Sequence, residues 1–120
     1  MNKLQAYHNF WSGFGLKAYD ETSVPDNAQM PYITYEVVVD DFDNSVGVVA
    51  STWYRDTSWA KSAQKVGEIA EVIGRGGKMV AYDGGGFWIK KANPWAQRLP
   101  DDHDDSVRRI VMNLEVEFID

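Results

Sequence analysis

The sequence predicts an α+β fold: a mostly antiparallel sheet with two helices packed on it, in the order α-β-β-β-α-β-β-β. Three observations carry this. Apolar and polar residues alternate over several segments rich in β-branched and aromatic side chains. Two other segments repeat apolar residues at three- and four-residue spacing. Glycine-rich stretches separate the two kinds of segment.

The first helix is read from Leu4, Tyr7, Trp11 and Phe14, one apolar stripe that Gly13 and Gly15 bring to an end. A short strand over 16–19 leads to a loop over 20–31, which carries Asp, Ser, Asn and two prolines. Residues 32–39 alternate Ile33, Tyr35, Val37 and Val39 with Thr34, Glu36 and Val38, which predicts a strand. A turn over 40–45 joins it to a second strand over 46–54. There Val46, Val48, Ala50, Thr52 and Tyr54 share a face, so the pair makes an antiparallel hairpin in mid-sheet.

Asp56, Thr57 and Ser58 offer capping oxygens to a helix that runs to about Ile73, with Trp59, Ala63, Val66, Ala70 and Ile73 as its apolar stripe. Gly74, Gly76 and Gly77 stop it. Residues 78–82 and 87–90 flank Asp83, Gly84, Gly85 and Gly86, which predicts a second hairpin. Residues 91–106 read as a long loop, mobile in the isolated subunit because its prolines and repeated Asp give it little to bury. The last strand is read from Ile110, Met112, Leu114, Val116 and Phe118 alternating with Arg109, Asn113, Glu115 and Glu117.

At 120 residues the chain has the size of one domain, 1–120, and its composition is that of a protein with a core. With no cysteine there is no disulfide framework, thiolate metal site or cysteine nucleophile. No basic leader precedes an apolar run, and no apolar stretch approaches the length of a membrane span, so export by a signal peptide and membrane insertion are not expected. A net charge of −6 argues against gripping a nucleic-acid backbone. Five Trp, six Tyr and five Phe are more aromatic surface than a small core easily hides, which points to self-association.

Asp101, Asp102, His103, Asp104 and Asp105 form a run that can hold a hard cation, but the spacing lacks the EF-hand glycine and distal glutamate, so a solvated acidic loop is preferred. Joined to Asp40, Asp41 and Asp43, and with Arg108 and Arg109 as the nearby basic residues, the same run suggests a two-metal phosphodiesterase, kept as an alternative. The glycine clusters match no phosphate-loop pattern and read as turns. His8 and His103 have no serine in a nucleophile-elbow pattern, so a triad has no support and His8 reads as a helix-surface residue. Trp88 and Trp95 bracket two lysines as single-strand binders do, but without a net basic groove they read as packing or subunit-contact residues. No catalytic residue, metal or cofactor is assigned.

The aromatic first helix with Trp11, the run Pro31, Tyr32, Ile33, Thr34, Tyr35 and Glu36, the helix over 58–73 and the ending over 109–118 together resemble the tail-completion or tail-terminator proteins of long-tailed bacteriophages. The resemblance covers nearly the whole chain and contains no catalytic motif. It implies a non-enzymatic, virion-borne subunit assembled in the bacterial cytoplasm, forming a ring of six copies. Such a ring caps the tail tube, meets the major tail tube protein and the head-tail connector proteins, and passes DNA without specific binding. Minor capsid and other neck proteins are neighbouring readings. On this view Asp40, Asp41, Asp43, Asp101, Asp102, Asp104 and Asp105 are candidates for an acidic channel wall, and Arg108 and Arg109 for pairing with a neighbouring subunit.

Overall fold

The structure, a computed structural model, describes residues 1–38 and 45–119. Its elements in chain order are α1 (Lys3–Ser12), β1 (Lys17–Asp20), β2 (Tyr32–Tyr35), β3 (Val46–Arg55), α2 (Ala60–Ile73), β4 (Lys78–Tyr82), β5 (Gly85–Pro100) and β6 (Val107–Ile119). The six strands form one sheet in the order β1-β2-β3-β6-β5-β4. Every neighbouring pair is antiparallel except β1 and β2, which run parallel. The α+β class and the element order are those the sequence predicts.

Period-two patterning sorts the sheet into two faces. Val48, Ala50, Thr52 and Tyr54 of β3 and Ile110, Met112, Leu114, Val116 and Phe118 of β6 point to the helix side and are buried. α1 begins with a capping box, in which Asn2 Oδ1 accepts from Gln5 N–H at 2.9 Å and Gln5 Oε1 from Asn2 N–H at 3.1 Å. Its Tyr7 ring meets Phe87 at 5.3 Å and Tyr35 at 5.5 Å, both edge-on, an arrangement aromatic rings favour. α2 presents Ser62, Val66, Ile69 and Ile73 to the strands. Ser62 Oγ and Thr52 Oγ1 satisfy one another at 2.8 Å inside the core.

Some expectations need correction. Leu4 is 50% exposed, because α1 turns Ala6, Tyr7 and Trp11 to the sheet and rolls Leu4 outward. The stripe of α2 is rotated from the predicted one: Ala63 is exposed, and Ser62 and Ile69 are buried instead. Trp59 is the N-cap, while Asp56 Oδ1 accepts from Thr57 and Ser58 N–H and Ser58 Oγ from Ala60 N–H just ahead of it. β2 ends at Tyr35, after which Glu36 N–H bonds to Val49 O and Glu36 Oε1 accepts from Val49 N–H. Val39 and the turn with Asp40, Asp41 and Asp43 lie outside the described residues.

The largest correction concerns the loop expected over 91–106. β5 runs on to Pro100 and stays paired with β6 throughout, interrupted by a register shift between Lys91 and Ala96. Pro94 falls inside that irregularity, where a missing N–H breaks no ladder bond. Only 101–106 is a turn, and side chains hold it: Asp101 Oδ1 accepts from His103 and Asp104 N–H, and Asp104 Oδ1 from Ser106 N–H.

Candidate functional site

The face of the sheet turned away from α1 and α2 carries a continuous row of large side chains. Tyr32, Trp53, Arg109 and Leu99 are successive cross-strand neighbours on β2, β3, β6 and β5, and Tyr19 of β1 joins at the end. Tyr19 and Tyr32 rings lie 5.6 Å apart, Tyr32 and Trp53 6.0 Å, and the Arg109 guanidinium sits 4.3 Å over the Trp53 ring. The row covers two polar residues of the next row. Trp53 Nε1–H donates to Thr34 Oγ1 at 2.9 Å and Arg109 Nε–H to Ser51 Oγ at 3.1 Å, and both acceptor residues are buried. Partial burial draws the Arg109 pKa below its ordinary value, opposed by the nearby Glu21 carboxylate.

The other end of this face is different. Met79, Trp88 and Glu117 are neighbours across β4, β5 and β6, with Ile119 beyond them. Lys90 and Glu115 form an ion pair at 3.2 Å. Among the described residues neither Arg109 nor Glu117 has an oppositely charged side chain within ion-pair distance. Leu99, Ile119 and Met79 are each about half exposed, so apolar surface remains uncovered at both ends.

The predicted site residues disperse over this frame. Trp88 lies on the helix-free face, while Trp95 packs against the core from the irregular part of β5, so the two do not bracket one surface. Arg108 and Arg109 point to opposite faces of β6. Arg108 Nη2–H donates to Thr57 O at 3.2 Å, its Nη1–H groups reach Asp105 O and Val107 O, and its guanidinium lies 5.4 Å over Trp59, which Arg98 approaches at 5.3 Å. Asp104 is bound to Arg55 and Ser106, whose hydroxyl donates to it at 2.6 Å. These bonds, the Ser106 hydroxyl first, hold its carboxyl far below the usual range. Asp101 is occupied by the turn, and Asp102 and Asp105 are exposed. No group of three or more His, Asp or Glu side chains placed to hold a metal occurs among the described residues.

Two polar clusters were not foreseen. Ser12 Oγ lies 3.2 Å from His8 Nε2, and His8 Nδ1 lies 2.9 Å from Tyr35 Oη, a nucleophile-base-orienter order of the hydrolase kind. It sits at the carbonyl end of α1, and the adjoining Gly13 N–H is spent on Phe10 O, so the helix end offers an oxyanion no donor. The spacing of His8 and Ser12 on one helix face was legible; the contact with Tyr35 was not. The second cluster is a cleft of about 260 Å³ lined by Asp20, Glu21, Thr22, Glu36 and Val37. Burial, then the Glu36 carboxylate, raises the Glu21 pKa.

The fold and these sites define an α+β domain whose most developed surface is a bare sheet face. Comparison with protein-family models, with curated proteins and with solved structures gives no match.

Proposed function

We propose that the chain is a structural assembly subunit of the phage tail-terminator kind, closing head to tail into a ring that caps a tail tube and joins it to the head connector. The observation that supports this reading is the pair of sheet edges. β1 and β4 lie at opposite ends of one sheet, pair with different neighbours, and run in the same direction. Rotation about an axis along the strands therefore brings the β4 edge of one copy beside the β1 edge of the next, with helices kept on one side. Such a contact is heterologous and closes when the rotation divides a full turn. Exposed edges carry unpaired N–H and C=O groups that a neighbouring strand can satisfy.

The acidic channel wall belongs to the same proposal, with Asp101, Asp102 and Asp105 as its described candidates. A wall of carboxylates repels phosphate over roughly one Debye length, about 8 Å in physiological salt, so DNA passes without adhering. The test is particle mass in solution together with negative-stain imaging of concentrated protein. Closed particles of about six copies with a central opening support the proposal. A compact particle without an opening, at every concentration up to the millimolar range, overturns it.

A further inference from the structure

We propose that the helix-free face of the sheet is a self-complementary docking surface on which a second copy of this chain packs, related by a two-fold axis passing at Asn113. On β6, Arg109 and Glu117 lie on this face four residues either side of Asn113; among the described residues neither has an oppositely charged side chain within ion-pair distance, and Glu21 acts on Arg109 only from farther away. A two-fold axis across the strand at Asn113 lays β6 antiparallel on the partner copy's β6. Each Arg109 then stands over the other copy's Glu117.

The flanking strands match under the same operation. Cross-strand pairing sets Trp53 in the Arg109 row of β3, and the operation carries it to the start of β3 in the other copy, where Ser45 and Gly47 are the described residues of this face. On β5 it carries Leu99 over Trp88. Among the described residues a bulky residue meets small ones, an exposed apolar residue meets a half-buried one, and no like charges are opposed in these rows. The molecule measures 43 × 30 × 23 Å, and an ordinary stable interface covers roughly 800 Å² per partner. Two sheets packed in this way lie about 10 Å apart, the usual spacing of aligned sheets. The contact is isologous and stops at two copies, so it is independent of any head-to-tail ring.

Sedimentation equilibrium of the full chain tests it, with Glu117→Arg, Arg109→Glu and the double exchange. The expected result is a reversible pair for the natural sequence, a dissociation constant raised at least tenfold by either single reversal, and recovery to within a few-fold in the double variant. Far-UV circular dichroism checks that each variant is folded, and Glu117→Arg, at a partly buried site whose side chain makes no hydrogen bond to other described residues, serves if Arg109→Glu does not fold. A monomer at all concentrations, or single reversals that associate as the natural chain does, overturns the pairing. A double variant no better than the worse single does so too. A six-copy ring indifferent to both reversals overturns the pairing and leaves the ring proposal standing. Pairs that respond to the exchange but never close into rings do the opposite.

Discussion

The two helices are fastened to the same sheet by different physics. α1 is held by rings: Tyr7, Trp11 and Phe14 are buried against Phe87, Phe118 and Tyr35, with Phe10 closing the side. The start of α2 is held by polar stitching: Asp56 on two backbone N–H groups, Arg108 on the carbonyl of Thr57, Ser62 on Thr52, and Arg55 on Asp104 across the neighbouring turn. Burial of rings is indifferent to pH and salt near neutrality, whereas the stitched end depends on which groups carry charge. The apolar end should set global stability, and the polar end should set how that stability varies with conditions.

The largest effect is expected at the ring end. Trp11 is completely buried, so Trp11→Ala leaves a cavity and should cost about 3–5 kcal/mol, a large share of the stability of a small domain. Urea unfolding measures it. A loss below about 1 kcal/mol would mean that α1 is not part of the cooperative core, and the contrast between the two ends would fail.

A smaller effect is expected for the pair Ser62 and Thr52. Ser62→Ala leaves the Thr52 hydroxyl buried without its partner and should cost about 1–3 kcal/mol, while Ser62→Ala with Thr52→Val should be milder than Ser62→Ala alone. A double variant that is worse than the single one would show that the hydroxyls do more than satisfy one another.

This pair also explains why the predicted stripe of α2 was rotated. Periodicity assigns an alanine to the core in preference to a serine, and only a partner from a distant strand makes Ser62 an inside residue. The strands β3 and β6 were legible because alternation runs through most of their length, in β6 without a break from Arg109 to Phe118. β5 was not, for a physical reason: odd residues such as Phe87 and Ile89 face the helices before the irregularity and even ones such as Ala96 after it, so the period-two signal changes phase in mid-strand. Beyond the irregularity, β4 no longer flanks β5, and its outer half is exposed and polar like a loop. The row of Tyr32, Trp53 and Arg109 was hidden differently. The sequence marks only Arg109 as the polar-side member of a strand, and cross-strand register is what places the three together.

Tyr7 separates burial from hydrogen bonding within the ring end. Its hydroxyl donates to Glu36 O at 2.9 Å, so Tyr7→Phe should cost about 0.5–1.5 kcal/mol while keeping the ring contacts. Burial raises the Tyr7 pKa, and Tyr35 is raised for the same first reason. The folded state thus retains protons that the unfolded chain releases above about pH 10, the ordinary tyrosine value, and stability should fall as pH rises past that point. Tyr7→Phe should flatten this alkaline slope. An unchanged slope between about pH 10 and 11 would assign it elsewhere.

The smallest effect tests the polar end. Asp104 is depressed in the folded state, so its contribution is complete above the ordinary carboxylate range and is lost as pH falls from about 4 toward the depressed value. Asp56, lowered chiefly by the N–H groups of Ser58 and Thr57, adds in the same direction. The Ser106 hydroxyl is the first cause of the Asp104 shift and the Arg55 ion pair the second, and Arg55 Nη1–H also donates to that hydroxyl at 2.7 Å. Removing the hydroxyl takes away a short bond that salt does not screen, whereas the exposed ion pair weakens as ionic strength rises. Ser106→Ala should therefore raise the Asp104 pKa more than Arg55→Gln does, and added salt should narrow the effect of Arg55→Gln but not that of Ser106→Ala. Titration of the Asp104 carboxyl carbon by NMR reads both shifts directly. The reverse order, with Arg55→Gln the larger, would make the turn an electrostatic clasp, and the acid sensitivity of this end of the molecule would then vanish in high salt.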